Sequence, residues 1–113
     1  MEKYFMLSAA PYMEVNAIRV SSTYDKRQHG YIVVADTVVR GNGTIGKCYC
    51  PEYYQHKGDG IYKVFEAGRR SAKKEAEAAA YCEANATDIA EHYLQLIINK
   101  LEITNDMHII KEA

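Results

Sequence analysis

At 113 residues, with 48% hydrophobic and 26% charged residues, the chain is long enough for one globular domain and too short for two independent cores. It has no run of roughly 18 apolar residues that could span a membrane, and its N-terminus lacks the hydrophobic region of an export signal. Three cysteines, an odd number, favour a reducing compartment over a disulfide framework. We therefore expect a single cytoplasmic domain, residues 1–113, that has no contact with a membrane.

Residues 3–67 carry the patterns of β-strands. Five segments are rich in β-branched or aromatic residues and are separated by turn-forming residues. They are residues 3–8, 13–23, 31–40, 44–50 and 61–67. The third is apolar on both faces, which predicts a central position, and Gly41-Asn42-Gly43 after it predicts a hairpin. We expect an antiparallel sheet of four or five strands.

The hydrophobic period changes near Ser71 from that of a strand to that of a helix, and Ser71 itself is a suitable N-cap. Small residues are predicted to lie on the sheet at the start of the helix, and larger ones further on. The first set is Ala72, Ala76, Ala79 and Ala80, and the second is Ala86, Ala90, Tyr93, Leu94, Ile97 and Leu101. The fold class is therefore α+β, with the sheet followed by helix over residues 71–103, packed on one face.

Two arrangements of this helical segment are open. One helix could run from residue 72 to 101, or it could break at residues 85–87, where Thr87 would cap a second helix. The break is slightly favoured, because one continuous helix of this length would overhang a small domain and its overhang would need a partner. Beyond it, the tail could add a short strand at residues 107–110 or dock on a neighbour.

The end of the helical segment is apolar on more than one face. Leu96, Ile98 and Ile103 lie off the face that would cover the sheet. They are the predicted oligomer interface, and the alternative is that their own chain wraps around them.

Charge is uneven along the chain, although the net charge is −1. Residues 1–74 carry 12 Lys and Arg against 7 Asp and Glu, which is +5, and residues 75–113 carry 2 against 8, which is −6. Such asymmetry favours an anion-binding surface on the first part of the chain, or head-to-tail association of two copies.

Positive charge is concentrated where the last predicted strand meets the helix. Arg69 and Arg70 precede the helix, and Lys73 and Lys74 lie in its first turn, where the positive end of the helix dipole disfavours cations. A phosphate bound there would satisfy the free N–H groups and the basic side chains together. The alternative is neutralisation by glutamates on a solvated surface, with Glu66, Glu75 and Glu77 as the partners.

Tyrosines interleave with basic residues before this junction, a combination typical of nucleic-acid binders because phosphates attract the cations and bases stack on the rings. The tyrosines are Tyr49, Tyr53, Tyr54 and Tyr62, and the nearest lysines are Lys47 and Lys63. The predicted phosphate-binding or nucleic-acid-binding residues are Arg69, Arg70, Lys73, Lys74, Lys63 and Tyr62.

The strand followed by GRRSAKKEAEAAA, residues 68–80, resembles the junction in double-stranded-RNA-binding domains, where a glycine, a serine and a Lys-Lys-x-Ala pattern open the last helix and hold phosphates. It is also similar to the three-strand-plus-helix arm-binding domains of tyrosine recombinases. The resemblance covers 13 residues. Ala72 is inserted before the lysine pair, Glu77 stands where a third lysine is expected, and no helix is predicted before the sheet. It implies phosphate contacts at the junction, without membership in either family.

No motif for catalysis, a metal or a cofactor is present in the sequence. The four histidines stand in no recognisable triad, and the C-x-C spacing of Cys48 and Cys50 is a poor match to structural zinc sites. The glycine-rich residues 40–46 lead from strand to strand and lack the Lys-Ser/Thr ending of a phosphate-binding loop. We therefore expect neither an enzyme nor a protein that carries a metal or cofactor.

Together, these features predict a small non-enzymatic binding module that contacts nucleic-acid phosphates through its basic strand-to-helix junction. The alternative is a self-assembling protein-interaction component, a homo-oligomer, whose basic crevice could also take a small phosphorylated ligand such as a nucleotide.

Overall fold

The computed structural model of the chain describes residues 1–7, 17–41, 44–47, 60–100 and 108–112. The strands are β1 (Glu2–Leu7), β2 (Ala17–Asp25), β3 (Gly30–Gly41), β4 (Thr44–Lys47), β5 (Ile61–Glu66) and β6 (Ile109–Glu112). One helix, α1 (Ala72–Lys100), lies between β5 and β6, and a 3₁₀ turn (Lys26–Gln28) joins β2 to β3. The predicted α+β fold, an antiparallel sheet followed by a helix packed on it, is confirmed. The strand at the tail was one of the two predicted options.

The described strands form one antiparallel sheet in the order β4-β3-β2-β1-β6, with β5 also paired to β3. The long strand β3 pairs with β2 along one side. On its other side, Gly30–Val34 pair with β5 and Val38–Gly41 pair with β4. The predicted central position of residues 31–40 is therefore correct. Because β5 runs antiparallel to β3, the end of β5 lies beside the start of β3, with Glu66 opposite Gly30.

Helix α1 is continuous over 29 residues, so the favoured break at residues 85–87 is wrong. Asn85 lies within the helix, and its side-chain amide donates to the carbonyl oxygen of Tyr81 at 2.9 Å, one turn back. Ala86 is buried against the sheet in the middle of the segment, where a break would remove packing. Near the N-terminal end of α1, Ala72, Lys73 and Ala76 are exposed.

The buried face of α1 follows rows of residues four apart, as expected for a helix lying on a sheet. Its members are Ala78, Cys82, Ala86, Ile89, Ala90, Tyr93, Leu94 and Ile97. The second set of residues predicted to face the sheet, from Ala86 to Ile97, is buried as predicted, whereas Leu101 lies outside the described residues. The predicted small-residue face is wrong, because Ala72, Ala76 and Ala80 are exposed and Ala79 is half-buried. Counting back in fours from Ala90 reaches Ala78, which is the residue that faces the sheet.

The core lies between α1 and one face of the sheet. Its strand residues come mainly from β1, β2 and β3, and they are Phe5, Leu7, Ile18, Val20, Tyr31, Val33 and Ala35. On the opposite face, Arg19 forms a two-pronged ion pair with Asp36, in which Arg19 Nε lies 2.9 Å from Asp36 Oδ1. The pKa of Arg19 is raised by this hydrogen-bonded partner. Among the described helical residues there is no segment long and apolar enough to cross a membrane.

Candidate nucleic-acid interface

The start of α1 is fixed to the sheet through Ser71. The Ser71 hydroxyl accepts a hydrogen bond from the Lys74 N–H at 3.3 Å, so its predicted N-cap role is confirmed. The Ser71 carbonyl oxygen accepts from the Glu75 N–H at 2.9 Å. In the other direction, the Ser71 N–H donates to the hydroxyl of Tyr31 on β3 at 3.1 Å. The junction of β5 and α1 is therefore anchored to the central strand.

The turn between β2 and β3 lies directly beside this junction. The Ala67 N–H donates to the His29 carbonyl oxygen at 2.9 Å, which continues the pairing of β5 with β3 past the strand ends. Lys26, Arg27 and His29 are exposed on this turn. The structure thus adds a second basic segment to the four cations predicted from the sequence. The two segments together, residues 26–29 and 69–74, are called the basic end below.

The β2–β3 turn is held in a defined shape. Asp25 caps it, accepting from the Arg27 N–H at 2.9 Å, and lies 3.6 Å from the Arg27 side-chain Nε. The Arg27 side chain is nevertheless 85% exposed. His29 closes the turn with a left-handed backbone, φ 55°, and its N–H donates to the Lys26 carbonyl oxygen at 3.2 Å. A non-glycine residue in this conformation is uncommon, and such strain is concentrated at functional sites.

Arg70 is stacked on Tyr24, which in turn packs against Tyr31. Its guanidinium carbon lies 4.8 Å from the centre of the Tyr24 ring, which packs edge-on against Tyr31 at 5.2 Å between ring centres. Arg70 is exposed, so the stacking restricts its side chain while leaving its N–H groups open to solvent. A guanidinium held in this way loses less conformational freedom when it binds a phosphate.

The glutamate alternative accounts for one cation of the basic end. Lys74 Nζ lies 3.2 Å from a carboxylate oxygen of Glu77. Arg69 and Lys73 are exposed and form no ion pair within the described residues. The positive end of α1 is therefore surrounded by cations, most of which are not neutralised by this part of the chain.

Two of the predicted residues lie further along β5. Lys63 is exposed, and its Nζ lies 5.7 Å from the ring centre of Phe65 and 5.9 Å from that of Tyr81 on α1. Tyr62 packs edge-on against His92 of α1, at 5.5 Å between ring centres. At about 3.3 Å per strand residue, Lys63 is roughly 10 Å from the end of β5. The structure therefore brings Arg69, Arg70, Lys73 and Lys74 together and places Lys63 and Tyr62 along the space between β5 and α1.

The other predicted residues are placed as follows. Leu96 and Ile98 are half-buried and pack against the core of their own chain, which leaves part of each side chain exposed. Ile103, the third predicted interface residue, lies outside the described residues, as do Cys48 and Cys50.

Cys82 is fully buried, and burial raises the pKa of its thiol. In the described ranges no group of three or more His, Cys, Asp or Glu side chains could hold a metal.

Comparisons of this chain with protein-family models, with curated proteins and with solved structures gave no significant match.

Proposed function

We propose that this protein is a small non-enzymatic module that binds nucleic acid by contacting backbone phosphates with its basic end. The observation that carries the proposal is the convergence of two basic segments, separate in sequence, around the N-terminus of α1. Cations at the positive end of a helix repel the dipole, and a bound anion reverses the sign of that interaction. Arginine and lysine on two different elements suit a chain of phosphates better than a single one.

The binding role requires neither catalysis nor a cofactor, and we place the protein in the cytoplasm.

Two contacts support the proposed phosphate binding, because they order groups of the basic end before a ligand binds. Arg70 is ordered by stacking on Tyr24, and the start of α1 is fixed by the Ser71 contact with Tyr31. A preorganised site loses less entropy on binding, so these contacts favour phosphate affinity beyond that of a mobile basic surface.

The experiment is fluorescence anisotropy with labelled DNA and RNA, single-stranded and duplex, over a salt series. We expect binding at low salt that weakens as salt rises, because phosphate contacts release counterions. Substitution of Lys73→Gln is expected to lower the slope of log K against log salt by about 0.7–0.9, the value for one phosphate contact. The triple variant of Arg69, Arg70 and Lys73 to Gln is expected to abolish binding with folding retained, since all three side chains are exposed.

The matched control is Lys100→Gln, which makes the same charge change at the opposite end of α1, about 40 Å from Lys73 at 1.5 Å per residue. It is expected to leave the slope unchanged. Equal effects of the two substitutions would show that binding depends on net charge and would contradict a defined site at the basic end.

A second candidate function, self-assembly, is favoured by the charge on the rest of α1. Asp88 and Glu91 are exposed and form no ion pair within the described residues. The basic end of one copy could contact this acidic surface on another, with the exposed parts of Leu96 and Ile98 at the contact. Light-scattering mass measurement distinguishes the two proposals. A salt-sensitive homo-oligomer that ignores DNA and RNA would favour assembly, and the basic end would then be tested with nucleotides as small phosphorylated ligands.

A further inference from the structure

A groove of about 220 Å³ lies between β5 and α1, next to the basic end but separate from it. Its lining residues are Tyr62, Tyr81, Asn85, Asp88, Ile89 and His92. It is smaller than the roughly 300–1,000 Å³ of pockets for drug-sized ligands, which suits one flat ring system.

Aromatic rings form the walls of the groove, and their orientations are fixed by neighbouring rings. Tyr62 packs edge-on against His92 at 5.5 Å, and Tyr81 packs edge-on against Phe65 at 5.8 Å. Ile89 is buried and supplies an apolar floor. A planar ligand could therefore stack on rings that need little reordering when it binds.

Two polar groups, one turn apart on α1, face this aromatic space. The amide of Asn85 is oriented by its hydrogen bond to the Tyr81 carbonyl oxygen at 2.9 Å, which leaves its own oxygen as an acceptor. The exposed carboxylate of Asp88 forms no ion pair within the described residues. On this side the groove thus offers two acceptors, and the negative charge of Asp88 disfavours an anion inside it.

Just outside the groove the sign of the charge changes. Lys63 lies over the rings of Phe65 and Tyr81, and the basic end follows beyond the end of β5, which is about 13 Å from Tyr62 along the strand. The matching ligand has a planar ring with hydrogen-bond donors on its edge and is attached to phosphates that remain outside. That is the chemistry of a nucleotide base within a strand.

We propose that the groove holds one unpaired base of a nucleic acid whose phosphates contact the basic end, with guanine preferred. This inference rests on the proposed function. Guanine is the base that presents two adjacent donors, N1–H and N2–H, on its Watson–Crick edge, and one carboxylate can accept both. Adenine and cytosine offer a single amino group there, and uracil a single imino N–H. Asp88 is therefore the residue that sets the preference, and Tyr81 supplies a stacking surface.

The test uses fluorescein-labelled single-stranded oligouridines with one central guanosine, adenosine or cytidine, so that all probes carry the same phosphate charge. The wild-type protein is expected to bind the guanosine probe about tenfold more tightly than the others, the range for one bidentate pair. Asp88→Asn is expected to remove that preference without changing the salt slope. The control Glu91→Gln changes charge equally on the same helix, at an exposed residue that does not line the groove, and is expected to keep the preference.

The outcomes separate this inference from the phosphate proposal. Equal affinity of the wild-type protein for all probes, with normal salt dependence, would overturn the base site and leave phosphate binding intact. If no oligonucleotide binds at low salt, phosphate binding is overturned, and guanosine without phosphate tests the groove alone by NMR. Shifts of the Tyr81 and His92 resonances would then support the groove as a base site, and unchanged resonances would overturn it.

Discussion

The hydroxyl of Tyr31 is a single atom that connects the central strand to the start of the helix, and its removal tests how the basic end is built. Tyr31 is 3% exposed, and its oxygen accepts the Ser71 N–H at 3.1 Å. In Tyr31→Phe the ring and its packing against Tyr24 remain, and only this acceptor is lost. We expect α1 to remain helical while its first turn is held less firmly against β3.

The magnitude follows from the kind of bond. A hydrogen bond between neutral groups contributes about 1 kcal/mol, and Ser71 is half-buried, so that water can partly replace the lost acceptor. We expect the free energy of unfolding to fall by about 0.5–1 kcal/mol, which corresponds to a melting temperature about 2–4 °C lower for a domain of this size. Nucleic-acid affinity should fall by no more than about fivefold, since a tenfold change needs about 1.4 kcal/mol. The salt slope should not change, because every cation is still present.

Urea unfolding of the wild-type protein and the variant measures the effect, and Tyr24→Phe is the matched control. It removes a hydroxyl from the adjacent tyrosine, which makes no hydrogen bond within the described residues. It also keeps the ring beneath Arg70. We expect the control to change stability by less than about 0.5 kcal/mol. If Tyr31→Phe is no more destabilising than Tyr24→Phe, the hydroxyl does not anchor the helix.

Three further changes give separate expectations. In Gly30→Ala the new methyl group would overlap the carbonyl oxygen of Phe65, so stability in urea should fall by about 1–3 kcal/mol, and wild-type stability would contradict the close approach of β3 and β5. His29→Gly should relieve the left-handed backbone and raise stability by up to about 1 kcal/mol, while anisotropy shows weaker binding to nucleic acid without the imidazole. Burial raises the pKa of the Cys82 thiol, so its contribution to stability is complete below about pH 8.5 and is lost as pH rises further, because the unfolded chain then releases the proton more readily. Cys82→Ala should therefore lose less stability than the wild-type protein between about pH 7.5 and 9.5, and an equal loss would show that the thiol does not contribute.

The strands could be predicted from sequence because their signals are local. Alternating and β-branched residues mark them, and glycines and polar residues separate them. The continuity of α1 could not be predicted in this way. Asn85 and Thr87 favour a helix start when only their neighbours are considered, but the row of small and apolar residues through Ala86 gains more by staying on the sheet. Packing across the sheet decided the outcome, and that information is not contained in a window of a few residues.

Only one of the two segments of the basic end could be predicted from the sequence. The four cations from Arg69 to Lys74 lie within six residues and form a recognisable cluster of positive charge. Lys26 and Arg27 lie more than 40 residues earlier, in a segment that has the composition of an ordinary polar turn. Their place beside the junction depends on the pairing of β5 with β3, a contact between distant segments. The pairing of Gly30 with Glu66 brings the two basic segments together, but this pair can be predicted only when the order of the strands in the sheet is known. Similarly, the groove depends on the position of α1 over β5.

The location of these cations at the N-terminal end of α1 connects stability with binding. Each cation near the positive end of a helix opposes the dipole by about 0.3–1 kcal/mol, and Ala72 and Lys73 in the first turn are exposed. The turn is held by the Ser71 cap and by the Tyr31 hydroxyl, and the neighbouring Arg69, Arg70 and Lys73 are exposed. An anion that binds there converts the repulsion into attraction. The first turn of α1 carries the repulsion between these cations and the dipole, so it is the part of the helix whose stability would rise most if a phosphate bound there.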